Sequence, residues 1–333
     1  MPSGISHMLL SRHLDVAGGP LEYVLPANIP YFQFGSIAPD LPYGSIADDH
    51  FLDSDAPLAN LFHFTEEGQD PAKAPNQIPV LGPERIKEIV RTNPDGRESS
   101  ALFWFLAGYT SHVIADGVFH PYVMDKVGPY EGSNKADHRA LEMGIDVLLC
   151  KHFTEASGAS LEASYLGMDM TIKGFNELQY ADFVRRYFTG LISEVYGESV
   201  SLDEIRGWVT GLSRLICQST GQWPAWFRRL PGTAPYVFRE MGDLVGREEE
   251  YLVLRKPKYW DENFRRVPEV HLFKDCLPRF NLLMKAFLEK AYAFVYNSGP
   301  EIREGDLPAF SLDTGRTVAD PNNISLEPLL WRA

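Results

Sequence analysis

Between Gly108 and Pro121 the chain runs GYTSHVIADGVFHP, which sets His112, Asp116 and His120 at i, i+4 and i+8. At about 100° of turn per residue, three such side chains on one helix fall within an arc of roughly 80° and can enter a single site. The stretch DHRALEMGID repeats the device with His138 and Glu142 at i, i+4. Imidazoles and carboxylates projecting from two helices make a polynuclear metal site the leading reading. Mixed nitrogen and oxygen donors suit zinc, whereas magnesium and calcium prefer sites built mostly of oxygen. A lone buried histidine is more often a satisfied core group, but five ligand-type residues in two matched registers outweigh that default. His7, His13, His50, His63, His112, His120, His138 and His152 all precede residue 153, and only His271 follows. The chemistry is therefore concentrated in the N-terminal half.

The elements that must hold these residues read as helices. Ser3 suits the cap of a first helix running to about Asp15 and carrying His7. A Pro/Gly-rich stretch from Gly18 to Tyr43, with Asp40 in GSIAPDLPYGS, reads as a loop. Asp55 followed by Pro57 opens a short helix, APLANLFHF, bearing His63. A further helix falls near Pro83 to Arg91. The apolar run from Ser99 to His120 marks a central buried helix that Pro121 is expected to close. Asn134 or Asp137 starts the next helix, which runs to about Phe153 with His138, Glu142 and Asp146 along one stripe. Amphipathic patterns recur over Tyr180–Tyr196, Leu202–Ser219 and Val270–Tyr296, and only EYLVLR at 250–255 alternates as a strand would. The expected class is all-α: residues 1–297 form a helical catalytic domain, and residues 298–333 an irregular tail containing FSLDTGR.

With 333 residues, 44% of them hydrophobic, the chain can bury a substantial core. A net charge of −14 disfavours broad attraction to nucleic acid or to anionic membrane surfaces. Cys150, Cys217 and Cys276 are odd in number and widely spaced within apolar patterns, so they read as buried thiols in a reducing compartment. The N-terminus lacks a secretory signal pattern, and no stretch reaches the ~18 uninterrupted apolar residues of a membrane span. A cytoplasmic start is the expectation, with export by a signal-independent apparatus left open. GxSxG, phosphate-loop and GxGxxG motifs are all missing.

Taken in order, the SH of His7, the APD of Asp40, the HF of His63, the SHxxxDxxxHP of 111–121 and the HRxLExxID of 138–146 resemble the bacterial zinc-dependent phospholipase C family. That family shares its fold with fungal single-strand-specific nucleases. The resemblance implies an α-helical domain with about three zinc ions in a cleft. Asp40, His63, His112 and Asp116 would hold one; His7 and Asp116 a second, bridged to the first; His120, His138 and Glu142 the third. Secreted members complete the second site with an N-terminal tryptophan, and this chain has neither a signal nor that residue. The amine of Pro2 after removal of Met1, water, His50 or Asp49 are the alternatives.

Clustered zinc suits phosphate-ester hydrolysis, with Asp40 as both ligand and base for the attacking water. The expected reaction is phospholipase C cleavage of phosphatidylcholine or a related phospholipid into diacylglycerol and a phosphorylated head group. It would involve transient contact with a membrane surface and no stable nucleic-acid complex. Tyr31, Phe32, Phe34, Tyr43, Phe62 and Phe64 are candidates for an apolar wall or a cation–π contact, although most suit plain packing. A nuclease or nucleotidase of the related branch, and a non-catalytic metal-stabilised binding protein, are the alternatives. Asp146 suits a carboxylate that orients a ligating imidazole. His13, His152 and His271 have no partner at useful spacing. The acidic cluster Asp48, Asp49, Asp53 and Asp55 reads as a solvated loop, as does KYWDENFRR at 258–266. LDTGR has no assigned role.

Overall fold

The computed structural model describes residues 4–14, 25–47, 56–65, 68–93, 96–128, 134–157, 172, 174–217, 244, 246–255, 268–323 and 326–331. The architecture is all-α, built around one long helix. In chain order the main helices are α1 (Gly4–Arg12), α2 (Leu25–Ser36), α3 (Ala56–His63), α4 (Gln77–Thr92), α5 (Arg97–Val127), α6 (Asn134–Ser157), α7 (Ala181–Tyr196), α8 (Leu202–Cys217) and α9 (Leu277–Tyr296). A 3₁₀ stretch, Ala38–Ala47, follows α2. The described sheet is one antiparallel pair, Val253–Arg255 against Glu269–His271, so the expected strand in EYLVLR shrinks to its last three residues. The expected helix from Val270 likewise starts later: its first residues pair as strand, a π turn spans Leu272–Cys276, and α9 follows.

Helix α5 is buried without interruption from Ala101 to Met124, which is why its sequence is apolar on every face. Pro121 was expected to end it, yet the helix continues to Val127. Proline forfeits its own bond to the Gly117 carbonyl, and the buried Tyr122, Val123 and Met124 hold the last turn in place. Helix α4 also accommodates a proline, Pro83, and is longer at both ends than expected.

Of the expected loop from Gly18 to Tyr43, the described residues 25–43 are largely helical instead, and residues 18–24 lie outside the described residues. Pro26 sits in the first turn of α2, where no N–H is needed, and Pro30 costs one internal bond. Burial of Phe32 and Phe34 against α5 offsets that loss. A Cβ on Gly108 would lie 2.1 Å from the Phe32 carbonyl oxygen, so the two backbones touch where α2 crosses α5. Glycine at this point serves close packing rather than a turn.

Phe32 stacks edge-on against Trp104, Phe34 lies on Phe175, and Phe62 packs on Tyr196. These aromatics are core. Among the six proposed as a substrate wall, Tyr43 alone is half-buried, 6.0 Å from the His63 ring. Cys150 and Cys276 are buried and form no disulfide. Among the described residues no helix is long and apolar enough to cross a membrane.

The C-terminal segment is irregular but firmly attached. Its described elements are an isolated bridge, Phe310 to Thr317, and a 3₁₀ turn, Leu329–Trp331. Trp331 Nε1–H donates to the Val118 carbonyl at 3.0 Å and Arg279 Nε–H to the Leu330 carbonyl at 2.8 Å. Arg316 lies 3.6 Å from Asp125 of α5, with both side chains buried.

Candidate metal centre

All eight ligand candidates lie at one place in the core. His7 comes from α1, Asp40 from the 3₁₀ stretch, His63 from the last residue of α3, His112, Asp116 and His120 from α5, and His138 and Glu142 from α6. Each is at most 2% exposed. Asp116 is the hub. Its Oδ2 lies 3.1 Å from His112 Nε2 and 3.8 Å from His63 Nε2, while its Oδ1 lies 3.2 Å from His7 Nε2 and 3.8 Å from His120 Nε2. Asp40 Oδ1 approaches His63 Nε2 at 3.3 Å, and the His7 ring stacks on His112 with centroids 3.8 Å apart. To one side, His138 Nε2 and Glu142 Oε1 are 3.2 Å apart, and the His138 ring faces His120 at 6.4 Å.

Main-chain carbonyls set the orientation of three imidazoles. Nδ1–H of His63 donates to Ala59 at 2.7 Å, that of His112 to Ser36 at 2.9 Å, and that of His120 to Leu312. Each bond commits Nδ1 as the donor and turns an Nε2 lone pair toward the cluster, the usual arrangement behind a ligating histidine. His63 Nε2 and His112 Nε2 face each other at 3.3 Å; two lone pairs at that distance repel, so either a proton on one ring or a bound metal cation must lie between them.

The donor spacing fits zinc. Two donors about 2.0–2.1 Å from a tetrahedral zinc lie roughly 3.3 Å apart. The His63–Asp40, His63–His112, His112–Asp116, His7–Asp116 and His138–Glu142 separations run from 3.1 to 3.3 Å. Asp40 Oδ1, both Asp116 oxygens, both His7 nitrogens and His120 Nε2 are buried with no hydrogen-bond partner. Buried polar atoms without partners are rare and call for an explanation. The His7, Asp40, His112 set and the His63, His112, Asp116 set each bring three donor atoms within 4.8 Å of one another.

Charge in the metal-free site is divided unevenly. Burial opposes the imidazolium form of His63, but the adjacent Asp40 and Asp116 carboxylates outweigh it and hold its pKa at about 9. Burial lowers His120 to about 3, and burial together with His112 lowers His7. Burial alone would raise Asp116, yet His120, His112 and His7 hold it well below the usual carboxylate range. Burial is likewise overcome at Glu142, which His138 and Arg139 help to hold at about 2. The site thus favours ionised carboxylates and neutral imidazoles at His7 and His120, as metal binding requires, whereas His63 must give up a proton to become a ligand.

Other residues singled out from sequence fall elsewhere. Asp146 accepts a hydrogen bond from Ser6, which anchors α6 to α1 one residue before His7. His13 stacks on Phe153 and His152 on Phe273, while His271 Nδ1 accepts the Phe273 amide at 3.1 Å. Pro2, His50, the acidic cluster Asp48, Asp49, Asp53 and Asp55, and the 258–266 segment lie outside the described residues. Sequence reasoning missed the Leu312 carbonyl, because no pattern connects a main-chain oxygen in an irregular tail to an imidazole 192 positions earlier.

A family model described as zinc dependent phospholipase C matches residues 6–199, a span that contains all eight candidates. The match covers more than half of the chain, which therefore belongs to the zinc-dependent phospholipase C family. Neither the curated proteins nor the solved structures yield a match.

Proposed function

We propose that this chain is a zinc-dependent phosphodiesterase, a phospholipase C that cleaves phosphatidylcholine or a related phospholipid into diacylglycerol and a phosphorylated head group. The carrying observation is the convergence of eight buried ligand-type residues around Asp116, at separations suited to zinc and with both His7 nitrogens, both Asp116 oxygens, Asp40 Oδ1 and His120 Nε2 lacking a hydrogen-bond partner. About three ions would be shared between the two sides of the cluster. Asp40, His63, His112 and Asp116 would hold one, His7 and Asp116 a second, and His120, His138 and Glu142 the third.

Bound zinc supplies positive charge that polarises phosphoryl oxygens and acidifies water. The remaining work falls to the chain. Asp40 is held ionised, since the His112 and His63 charges overcome its burial. Its carboxylate can keep one oxygen on a metal and use the other to accept the proton of an attacking water. The Ala59, Ser36 and Leu312 carbonyls fix the imidazoles, so the charged centre needs little rearrangement as negative charge develops on phosphate. The near-complete burial of the set excludes bulk water and strengthens each of these interactions.

The test is diacylglycerol release from phosphatidylcholine vesicles by zinc-loaded protein, with chelator-treated protein as control. Zinc-dependent release is expected. If zinc is bound and no diacylglycerol appears, the phospholipid assignment is wrong, and nucleotide or single-stranded nucleic-acid phosphodiesters are the next substrates to assay.

A further inference from the structure

The LDTGR segment, which the catalytic reading leaves unused, forms a tight turn beside the metal centre. Ser311 N–H donates to Arg316 at 2.9 Å and Gly315 N–H to Ser311 at 2.8 Å, inside the Phe310–Thr317 bridge. The turn lies directly on α5. A Cβ on Gly117 would come within 2.6 Å of the Phe310 ring, and one on Gly315 within 2.6 Å of Pro121 Cγ. The two ends of Leu312 are held by the site itself: its N–H donates to the His63 carbonyl at 2.9 Å, and its carbonyl accepts from His120. The residue after it, Asp313, is thereby set between the His63 and His120 arms.

Two features of Asp313 then stand out. Leu312, Thr314, Gly315 and Arg316 are buried, whereas Asp313 keeps partial exposure. Burial raises the pKa of its carboxylate, and its field is felt by both halves of the centre, since His63 and His138 attract it and Asp116 repels it. Among the described residues no hydrogen bond or ion pair holds that carboxylate. A second carboxylate facing Asp116 without a cation between them is an unfavourable arrangement in a low-dielectric site.

We propose that Asp313 is a ligand of the metal centre supplied by the C-terminal turn, so that the tail completes the site instead of merely covering it. The inference rests on the zinc reading above. It also gives the centre a donor beyond the family-matched residues, which end at 199.

The experiment measures zinc content and affinity across a chelator-buffered zinc series for the full-length wild type, Asp313→Asn and His138→Ala. Asp313→Asn, which removes the negative charge but keeps a carbonyl oxygen, should bind zinc roughly tenfold more weakly. Its circular dichroism under chelation should match the wild type. A curve superposing on wild type while His138→Ala is weakened overturns the role of Asp313 and leaves the metal centre standing. If His138→Ala also superposes, the zinc reading fails and this inference fails with it. Should Asp313→Asn not fold, anomalous diffraction from zinc-loaded wild-type crystals decides: an Asp313 oxygen ~2.0–2.2 Å from a zinc supports the assignment, and its absence from every zinc shell overturns it.

Discussion

At the scale of single residues, the site is governed by which nitrogen of each imidazole is committed. His63, His112 and His120 all direct Nδ1–H to main-chain carbonyls, so their Nε2 atoms share one small volume. Asp40 differs from its neighbours in role. Its one ion-pair contact is with His63, at 3.3 Å, with His7 and His112 donor atoms within 4.8 Å, whereas Asp116 lies in ion-pair range of four imidazoles. Replacing Asp40 by Asn preserves a carbonyl oxygen that can still ligate but removes the proton acceptor. Asp40→Asn is therefore expected to lower turnover by about 10²–10⁴-fold while most zinc stays bound. Kinetics alongside elemental analysis check this, and wild-type turnover would remove Asp40 from the mechanism.

At the scale of elements, the close crossing of α2 and α5 sets the register of the site, because Ser36 at the end of α2 fixes His112 on α5. Gly108 lies one turn before His112, where the two backbones touch. Gly108→Ala would force the helices apart at that crossing, with an expected cost of about 3 kcal/mol, the upper end for overpacking, since the obstacle is backbone and cannot rotate away. Urea unfolding of the chelated protein measures the cost, and a variant as stable as wild type would show that the crossing is loose. The end of α3 is similarly constrained. Phe64 turns back in the left-handed region at φ 55° while fully buried, and the His63 carbonyl left over at the helix end is taken up by the tail amide of Leu312. Strain of this kind persists only where the surrounding structure enforces it.

At the scale of the whole molecule, the buried centre couples stability to pH once metal is removed. His120, held at about 3, charges in the unfolded chain near pH 6.5 but not in the fold, so stability is lost as pH falls from about 6.5 toward 3. Glu142, held at about 2, adds a loss as pH falls below about 4.5. His63 acts in the opposite sense. With its pKa raised to about 9, its contribution is complete below pH 6.5 and disappears as pH rises through 9. Chelated protein should accordingly be most stable near pH 6.5. Thermal unfolding from pH 3 to 9 in chelator tests this, and a midpoint unchanged across that range would contradict the charge distribution described for the site. Zinc should abolish the alkaline limb, because His63 then holds metal in place of a proton.

Local patterns in the sequence determined the helical class and five of the residues that gather at the centre, His112, Asp116, His120, His138 and Glu142, because i, i+4 spacing on a helix is a purely local constraint; His7, Asp40 and His63 were legible only from the ordered resemblance to the family. The same patterns misjudged the Gly18–Tyr43 stretch and Pro121, where propensity points to loops and ends but burial against α5 overrides it. Glycine and proline there serve close helix packing, and nothing within a window of a few residues distinguishes that use from a turn. The attachment of the tail was decided by tertiary structure alone. Arg316 meets Asp125, Leu312 spans His63 and His120, and Asp313 comes to face the centre through contacts between segments about 190 to 250 residues apart. Main-chain oxygens carry no residue signature, and a lone aspartate in an irregular segment is by default a turn residue. Only the packing of Gly117 and Pro121 against the 310–317 turn brings that segment beside the candidate metal ligands.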